Sequence, residues 1–138
     1  MDRPEGSRPK PVNIRDASAA FDEVYSPRIA GRMNDYDVKI GHARGDHVWH
    51  VHADTDEFFL VVNGKLNISM RHAAGVETAV SFGPWDTFVV ARGVEHKPDS
   101  QGGCSFLVFE PSGTSSTGDH HEGELPDYVD ATTGHQLD

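Results

Sequence analysis

Seven short runs of apolar or alternating residues, separated by turn residues, limit what this chain can fold into. Alternation between apolar and polar types suits strands with one buried face, and pairs such as Gly64-Lys65 suit the tight turns between strands. Seven or so strands in one continuous stretch indicate a small all-β sandwich or barrel rather than an open sheet. The runs cover residues 37–42, 47–52, 57–62, 65–71, 76–81, 86–91 and 105–110.

The length and charge of the chain restrict its domain count and its partners. The 138 residues suffice for one domain with a single core. The 12 basic and 22 acidic residues give a formal net charge of −10. Because an acid-rich surface repels phosphate backbones, we expect a small-molecule partner and no nucleic acid partner.

Location is predicted from apolar runs and from cysteine usage. No apolar run approaches the roughly 20 residues that a membrane helix needs, and the first residues lack the apolar stretch of a signal peptide. The single cysteine, Cys104, precedes an apolar strand and is interpreted as a buried thiol. We therefore expect a cytoplasmic protein that does not bind a membrane.

Composition divides the chain into three segments. Residues 1–33 are predicted to form an N-terminal arm and a short helix, which Asp16 would cap and which would reach about Val24. Residues 34–111 hold the strand pattern. Residues 112–138 are polar and are predicted to form a flexible tail, because they cannot bury enough apolar surface to order themselves.

Two histidines lie one residue apart in the second run, and a carboxylate follows. On a strand, His50 and His52 would point to one side and Val51 to the other. Glu57 comes five residues later, and His96 supplies a third imidazole downstream. Imidazoles with one carboxylate form a mixed nitrogen and oxygen set that suits Mn, Fe, Ni, Cu or Zn. The spacing indicates a candidate metal site.

His47 would join this set only if the stretch were a helix. A helix would place His47 and His50 on neighbouring turns. Val48, Trp49 and Val51 favour a strand instead. On a strand His47 lies on the opposite side from His50, so we predict that it is a surface residue.

Other polar residues near the motif and in the tail have less specific signals. Lys39 and Arg44 could bind an acidic group of a substrate, but both are interpreted as solvated charges. Four tail residues could in principle form a second metal cluster, but nothing in their flanks would hold them in place. They are His120, His121, Glu122 and His135.

The histidine segment resembles the first conserved motif of the cupin superfamily. That motif is matched by His50-x-His52-x4-Glu57-x6-Gly64. The resemblance covers about residues 34–111. The chain resembles most the short single-domain bacterial cupins that are often labelled as related to mannose-6-phosphate isomerase.

The second cupin motif runs Gly, five residues, Pro, one residue, Gly, two residues, His, three residues, Asn. Gly93 and His96 match it. Trp85, Ala91 and Ser100 stand where the family has its first glycine, its proline and its asparagine. These departures affect a turn and a strand entry and leave the histidine in place.

The resemblance implies a fold and a ligand set. The fold is a jelly-roll barrel of about six to eight strands with the site inside one mouth. The implied cofactor is one divalent transition metal: Fe, Mn, Ni, Zn or Cu. Four protein ligands would leave about two positions of an octahedral ion for water, dioxygen or substrate. By carry-over from the motifs, the ligands are His50, His52, Glu57 and His96.

The function implied is a metal-dependent enzyme that acts on a small organic molecule, with dioxygenase-like or other Lewis-acid chemistry. The alternatives are a non-catalytic, metal-assisted binding module, a sugar isomerase, and a scaffold protein whose site is a relic. No general base can be identified: Glu57 is assigned to the metal, and Glu95 faces away from its neighbour His96 on a strand. The intact ligand spacing speaks against the scaffold.

Alternation from Glu57 predicts which side chains line the barrel. Phe59 and Val61 would point inward, and the other residues of 58–62 would pack outside or form the interface of a homodimer. The last strand leaves two inward sets open. These are Phe106 with Val108, or Leu107 with Phe109.

Overall fold

A computed structural model describes residues 10–137. The first nine residues of the predicted arm, and Asp138 at the end of the predicted tail, lie outside the described residues. The described part contains one α-helix, a 3₁₀ turn and ten strands. The elements are α1 Ile14–Ala19, β1 Arg28–Met33, β2 Tyr36–Asp46, β3 His50–Val51, β4 Glu57–Gly64, β5 Leu66–Arg71, the 3₁₀ turn Ala73–Gly75, β6 Glu77–Phe82, β7 Thr87–Val90, β8 Glu95–Pro111, β9 His120–His121 and β10 His135–Gln136.

The short N-terminal helix is confirmed, but its predicted bounds are wrong. Asn13 caps α1, because its side chain accepts a hydrogen bond from the amide of Asp16 at 2.9 Å. Asp16 therefore lies in the first turn, and the helix ends well before Val24. Within residues 10–137, no helix is long and apolar enough to cross a lipid bilayer.

The long strand β8 organises the sheet. Its second half pairs antiparallel with β2 on one side and with β4 on the other, through residues 104–111. Its first half pairs with β5 through residues 95–99 and with β3 at His96. The remaining strands add to this framework: β1 to β2, β7 to β4, β6 to β5, β9 to β3 and β10 to β1. This arrangement is the predicted all-β jelly roll.

The core lies inside the roll and follows the predicted alternation. Phe59 and Val61 are buried, as predicted. On the last strand, Phe106 and Val108 are buried, which settles the choice that the sequence left open. A Cβ atom on Gly41 would lie 2.9 Å from the ring of Phe106, so the glycine makes room for that ring.

The structure adds strands at places where the sequence pattern gave no strand. β1 begins at Arg28, before the predicted barrel boundary, and pairs with β2. β8 begins at Glu95 and runs through Pro98. The predicted run 47–52 forms a strand only at its end, as β3.

The polar segment after Pro111, which composition predicted to be a flexible tail, has specific partners on the barrel. β9 pairs with the strand that carries His50, and β10 pairs with β1. Val129 joins the core, and Ser26 donates a hydrogen bond to Asp130 at 2.8 Å. These contacts give a segment that is poor in apolar residues a defined path across the barrel.

Candidate metal centre

Three strands bring the four predicted ligands together. His50 lies on β3 directly opposite His96 on β8. His52 follows β3 by one residue, and Glu57 is the first residue of β4. All four side chains are buried, with residue exposures of 1% to 7%. One ligand atom from each lies within 4.8 Å of the others, so this group could hold a metal ion.

Hydrogen bonds fix the orientation of two of the rings. Nδ1 of His50 donates to the carbonyl of Val48 at 2.9 Å, and Nδ1 of His96 donates to the carbonyl of Val94 at 2.9 Å. In the neutral rings, Nε2 then carries a lone pair that points into the site. Such bonds to a backbone carbonyl are the usual way in which proteins orient metal-binding imidazoles.

The contacts around Glu57 fit a cation. Nε2 of His96 lies 3.1 Å from Oε1 of Glu57, and Nε2 of His52 lies 3.5 Å from Oε2. Two ligand atoms at right angles on a metal, each bound at ~2.1 Å, would be ~3.0 Å apart. A lone pair of His96 and a carboxylate oxygen that face each other need a cation or a proton between them. Nε2 of His52 is buried and has no hydrogen-bond partner among the described residues.

The protonation states of the ligands follow from burial and from one another. Burial and the neighbouring rings of His96 and His47 hold the pKa of His50 well below its usual value, so this ring stays neutral, as a metal ligand must. Burial lowers the pKa of His52, but the nearby carboxylate of Glu57, 3.5 Å away, outweighs burial, and the pKa is raised. Burial raises the pKa of Glu57, but the adjacent imidazoles of His52 and His96 bring it well below its usual value.

A small cavity of about 50 Å³ lies beside these ligands. His50 and Glu57 form part of its wall, and most of the rest is apolar, including Phe59, Phe106 and Val108. Apolar walls with a few polar groups are typical of small-molecule sites.

The prediction that His47 is a surface residue is wrong. His47 is 6% exposed, and its ring lies 4.6 Å from the ring of His50. Alternation failed because residues 47–49 are not in a strand. Nδ1 of His47 accepts a hydrogen bond from the amide of Val48 at 2.7 Å, and burial lowers its pKa to about 4. His47 lines the cavity but lies outside the group of four.

The interpretation of Lys39 as a solvated charge is also wrong. Lys39 is 1% exposed, and its Nζ donates to Oε2 of Glu110 at 2.8 Å. Both residues line the cavity. Sequence reasoning missed Glu110, although alternation from Phe106 through Val108 places it on the inward face. Burial and the charge of Glu57 raise the pKa of Glu110 well above its usual value, whereas the ammonium group of Lys39 lowers it. A cation bound by Glu57 would offset the charge of that carboxylate and, together with Lys39, would favour the ionised form of Glu110.

The polar residues that could have formed a second cluster in the tail have other partners. Glu122 accepts a hydrogen bond from Arg71 at 2.7 Å, and His135 bonds Asp130 at 2.7 Å. His120 and His121 are exposed on β9. Arg44, at the far end of β2, is also exposed.

The chain is similar in sequence to a known bacterial protein. No protein-family model matches the chain. The uncharacterised protein YdbB of Bacillus subtilis is 34% identical over 91 residues, which cover 66% of this chain and 77% of that protein.

Many solved structures share the fold. The crystal structure of a cupin-2 domain protein from Shewanella frigidimarina is 37% identical, with a TM-score of 0.67 over 72% of this chain and 93% of that one. Hydroquinone 1,2-dioxygenase PnpCD, in complex with Cd²⁺ and 4-hydroxybenzonitrile, is 18% identical, with a TM-score of 0.63 over 73% and 72%. With the jelly roll and 37% identity to the cupin-2 domain protein, the chain belongs to the cupin superfamily.

Proposed function

We propose that the protein holds one divalent transition metal through His50, His52, Glu57 and His96 and uses it to act on a small organic molecule. The observation that carries the proposal is the convergence of four buried donor groups within 4.8 Å. When bound, Fe, Mn, Ni, Zn or Cu would supply a Lewis acid, and iron would also supply a centre for reaction with dioxygen.

The chain's own residues would position the substrate and exclude water. The phenyl rings of Phe59 and Phe106 give the cavity an apolar wall beside the ligands. Ser116, in the segment after the barrel, also lines the cavity, so this segment would limit the access of solvent. Glu57 is occupied by the metal in this proposal, and Glu110 is the remaining inward carboxyl group.

The reaction class that we propose is dioxygenase-like. An apolar cavity beside an open metal position suits oxidation of an apolar substrate, and the structure of hydroquinone 1,2-dioxygenase contains a metal and a phenol in a similar fold.

The inward position of Glu110 favours a second candidate, a sugar isomerase, because it supplies an acid or base that the sequence argument lacked. A binding module without turnover is the third. Oxygen uptake by the iron-loaded protein with candidate phenols would separate the first from the others.

The metal assignment is tested by elemental analysis of protein purified without added metal. We expect about one first-row transition ion per chain in the parent and little in the double variant His50→Ala, His52→Ala, because two of the four ligands are lost. The control is His72→Ala, an exposed histidine outside the group, which should keep the metal. Stoichiometric metal in the double variant would overturn the ligand assignment.

We also propose that the protein is a homodimer that works in the cytoplasm. Several apolar side chains lie on the outer face of the sheet, among them Phe58 and Val89, which face each other across β4 and β7. A continuous apolar surface of this kind is a common subunit interface. The cytoplasmic location rests on the sequence argument alone.

A further inference from the structure

Lys39 and Glu110 form a buried ion pair, and neither residue is a ligand in the proposed metal centre. The side chains are 1% and 4% exposed, and Nζ lies 2.8 Å from Oε2. The ammonium group also donates to the carbonyl of Thr114 at 3.0 Å. The other carboxylate oxygen, Oε1 of Glu110, is buried and has no hydrogen-bond partner among residues 10–137.

The pair lies next to the candidate metal ligands. β4 and β8 run antiparallel, with Phe58 opposite Phe109, so the next positions along the two strands bring Glu57 and Glu110 side by side. Glu57, Glu110 and Lys39 all line the same cavity. The cavity wall therefore contains two of the proposed metal ligands, His50 and Glu57, and the charged pair lies beside them.

Stability alone does not account for this arrangement. A buried ion pair gains little over well-packed apolar residues of the same volume, because both charges lose their hydration. A buried oxygen without a partner adds a further cost. Such costs are kept in folded proteins where a ligand completes the hydrogen bonds.

We propose that Oε1 of Glu110 accepts a hydrogen bond from a hydroxyl group of the ligand, and that Lys39 holds the carboxylate in place for it. The inference rests on the proposed metal centre, because a second oxygen of the ligand would reach the metal. The ligand class is a small neutral molecule with an apolar body and two separated oxygens, such as a diol or a dihydric phenol. A cationic donor is disfavoured, because Lys39 and the metal would repel it.

The test compares pairs of probes in which a methyl group replaces the hydrogen of one hydroxyl group. The pairs are hydroquinone with 4-methoxyphenol, and resorcinol with 3-methoxyphenol; each ether keeps one metal-binding oxygen but cannot donate from the other. Calorimetric titration of zinc-loaded protein under nitrogen gives the affinities without oxidation, because zinc is redox-inert. We expect the parent to prefer the diol of at least one pair by about tenfold, the usual value for a hydrogen bond to a charged group.

The variant Glu110→Gln should abolish that preference. Lys39 needs an acceptor, so the amide oxygen would take the place of Oε2, and the amide group would present a donor where Oε1 was. The diol would then lose about tenfold in affinity while the ether stays the same or gains. The double variant Lys39→Met, Glu110→Leu removes both charges at similar volume, should fold, and should bind both probes of a pair equally.

The control is Asp37→Asn, on the strand that carries Lys39: it alters an ion pair of a buried carboxylate with the partly exposed Arg32, 2.9 Å away, outside the cavity. It should keep the preference for the diol. A parent that shows no preference in either pair, or a preference that survives Glu110→Gln, would overturn the inference. Metal content separates this failure from that of the metal centre: a metal-loaded parent without preference contradicts only the role of Glu110, whereas a parent that takes up no zinc contradicts both.

Discussion

His47 links the stability of the fold to pH through a single buried imidazole. Its pKa in the folded protein is about 4, against 6.5 for the free side chain. Between these values the unfolded chain binds a proton that the folded chain does not. This contribution to stability is therefore fully present above pH 6.5 and is lost as the pH falls toward 4, by about 3 kcal/mol in total.

We predict that His47→Asn flattens the pH dependence of unfolding. The amide oxygen of Asn is able to accept the Val48 amide hydrogen, but the side chain does not titrate. Urea unfolding of chelator-treated protein, measured from pH 7 to pH 4.5, should show a smaller loss of unfolding free energy in the variant than in the parent. The same replacement at exposed His72 serves as the control. Equal slopes for parent and His47→Asn would contradict a depressed pKa at this position.

The same residue shows how far side-chain positions were predictable. Alternation placed Phe59 and Val61 correctly because β4 is a regular strand from Glu57 onward. It failed for His47 because the chain before β3 leaves the strand conformation. Lys39 was misplaced for another reason: its partner Glu110 lies 71 positions away in sequence, and only the register of the sheet brings the two charges together.

Among the elements, β9 supports the strand that carries His50. The amide of Asp119 donates to the carbonyl of Val51 at 2.8 Å, and the side chain of Asp119 accepts from the amide of Ala53 at 2.8 Å. Gly118 allows this approach, with φ of +70°, and a Cβ atom there would collide with the carbonyl oxygen of Val51. β3 has only two residues, so its position depends on such contacts.

We predict that Gly118→Ala separates β9 from β3 and weakens metal binding. The matched control is Gly123→Ala, because Gly123 also has a positive φ, +77°, but nothing lies within 4 Å of its added Cβ. Backbone strain alone should cost about 1 kcal/mol in the control, and the collision should bring the loss at Gly118 to about 2–3 kcal/mol. Urea unfolding and metal titration check this. Equal losses in the two variants would mean that β9 does not support the site.

Strands were predictable where apolar and polar residues alternate within a run bounded by turn residues. The other strands were not predictable. β4, β5, β6 and β7 lie within about two residues of the predicted runs. The first half of β8 contains Lys97 and Pro98, which lie outside the predicted runs, yet β5 on one side and β3 on the other hold it in the sheet. β9 and β10 have two residues each, and their pairing comes entirely from the barrel that they lie against.

For the whole molecule, the outer face of the sheet is the surface that a second copy would cover. Val38, Phe109, Phe58 and Val89 are aligned opposite one another across β2, β8, β4 and β7. The described part of the N-terminal segment contacts another part of this sheet, where the carbonyl of Ser18 accepts a hydrogen bond from His42, and Val89 is left 51% exposed among the described residues. A net charge of −10 per chain opposes association, so a dimer through this row should strengthen as salt screens the charge.

We predict that Val89→Lys converts the dimer to a monomer. In a two-fold interface the same row meets itself, so the substitution would bring two ammonium groups into an apolar contact and raise the dissociation constant by at least about tenfold. Light scattering at low micromolar concentration should give twice the chain mass for the parent and the chain mass for the variant.

Val76→Lys is the matched control, because Val76 is 54% exposed against 51% for Val89 but follows the 3₁₀ turn, away from the row. A monomeric parent, or a variant that stays dimeric with unchanged affinity, would show that this face is not the interface. Metal content should be the same in all three proteins, because the row lies on the opposite side of the sheet from the ligands.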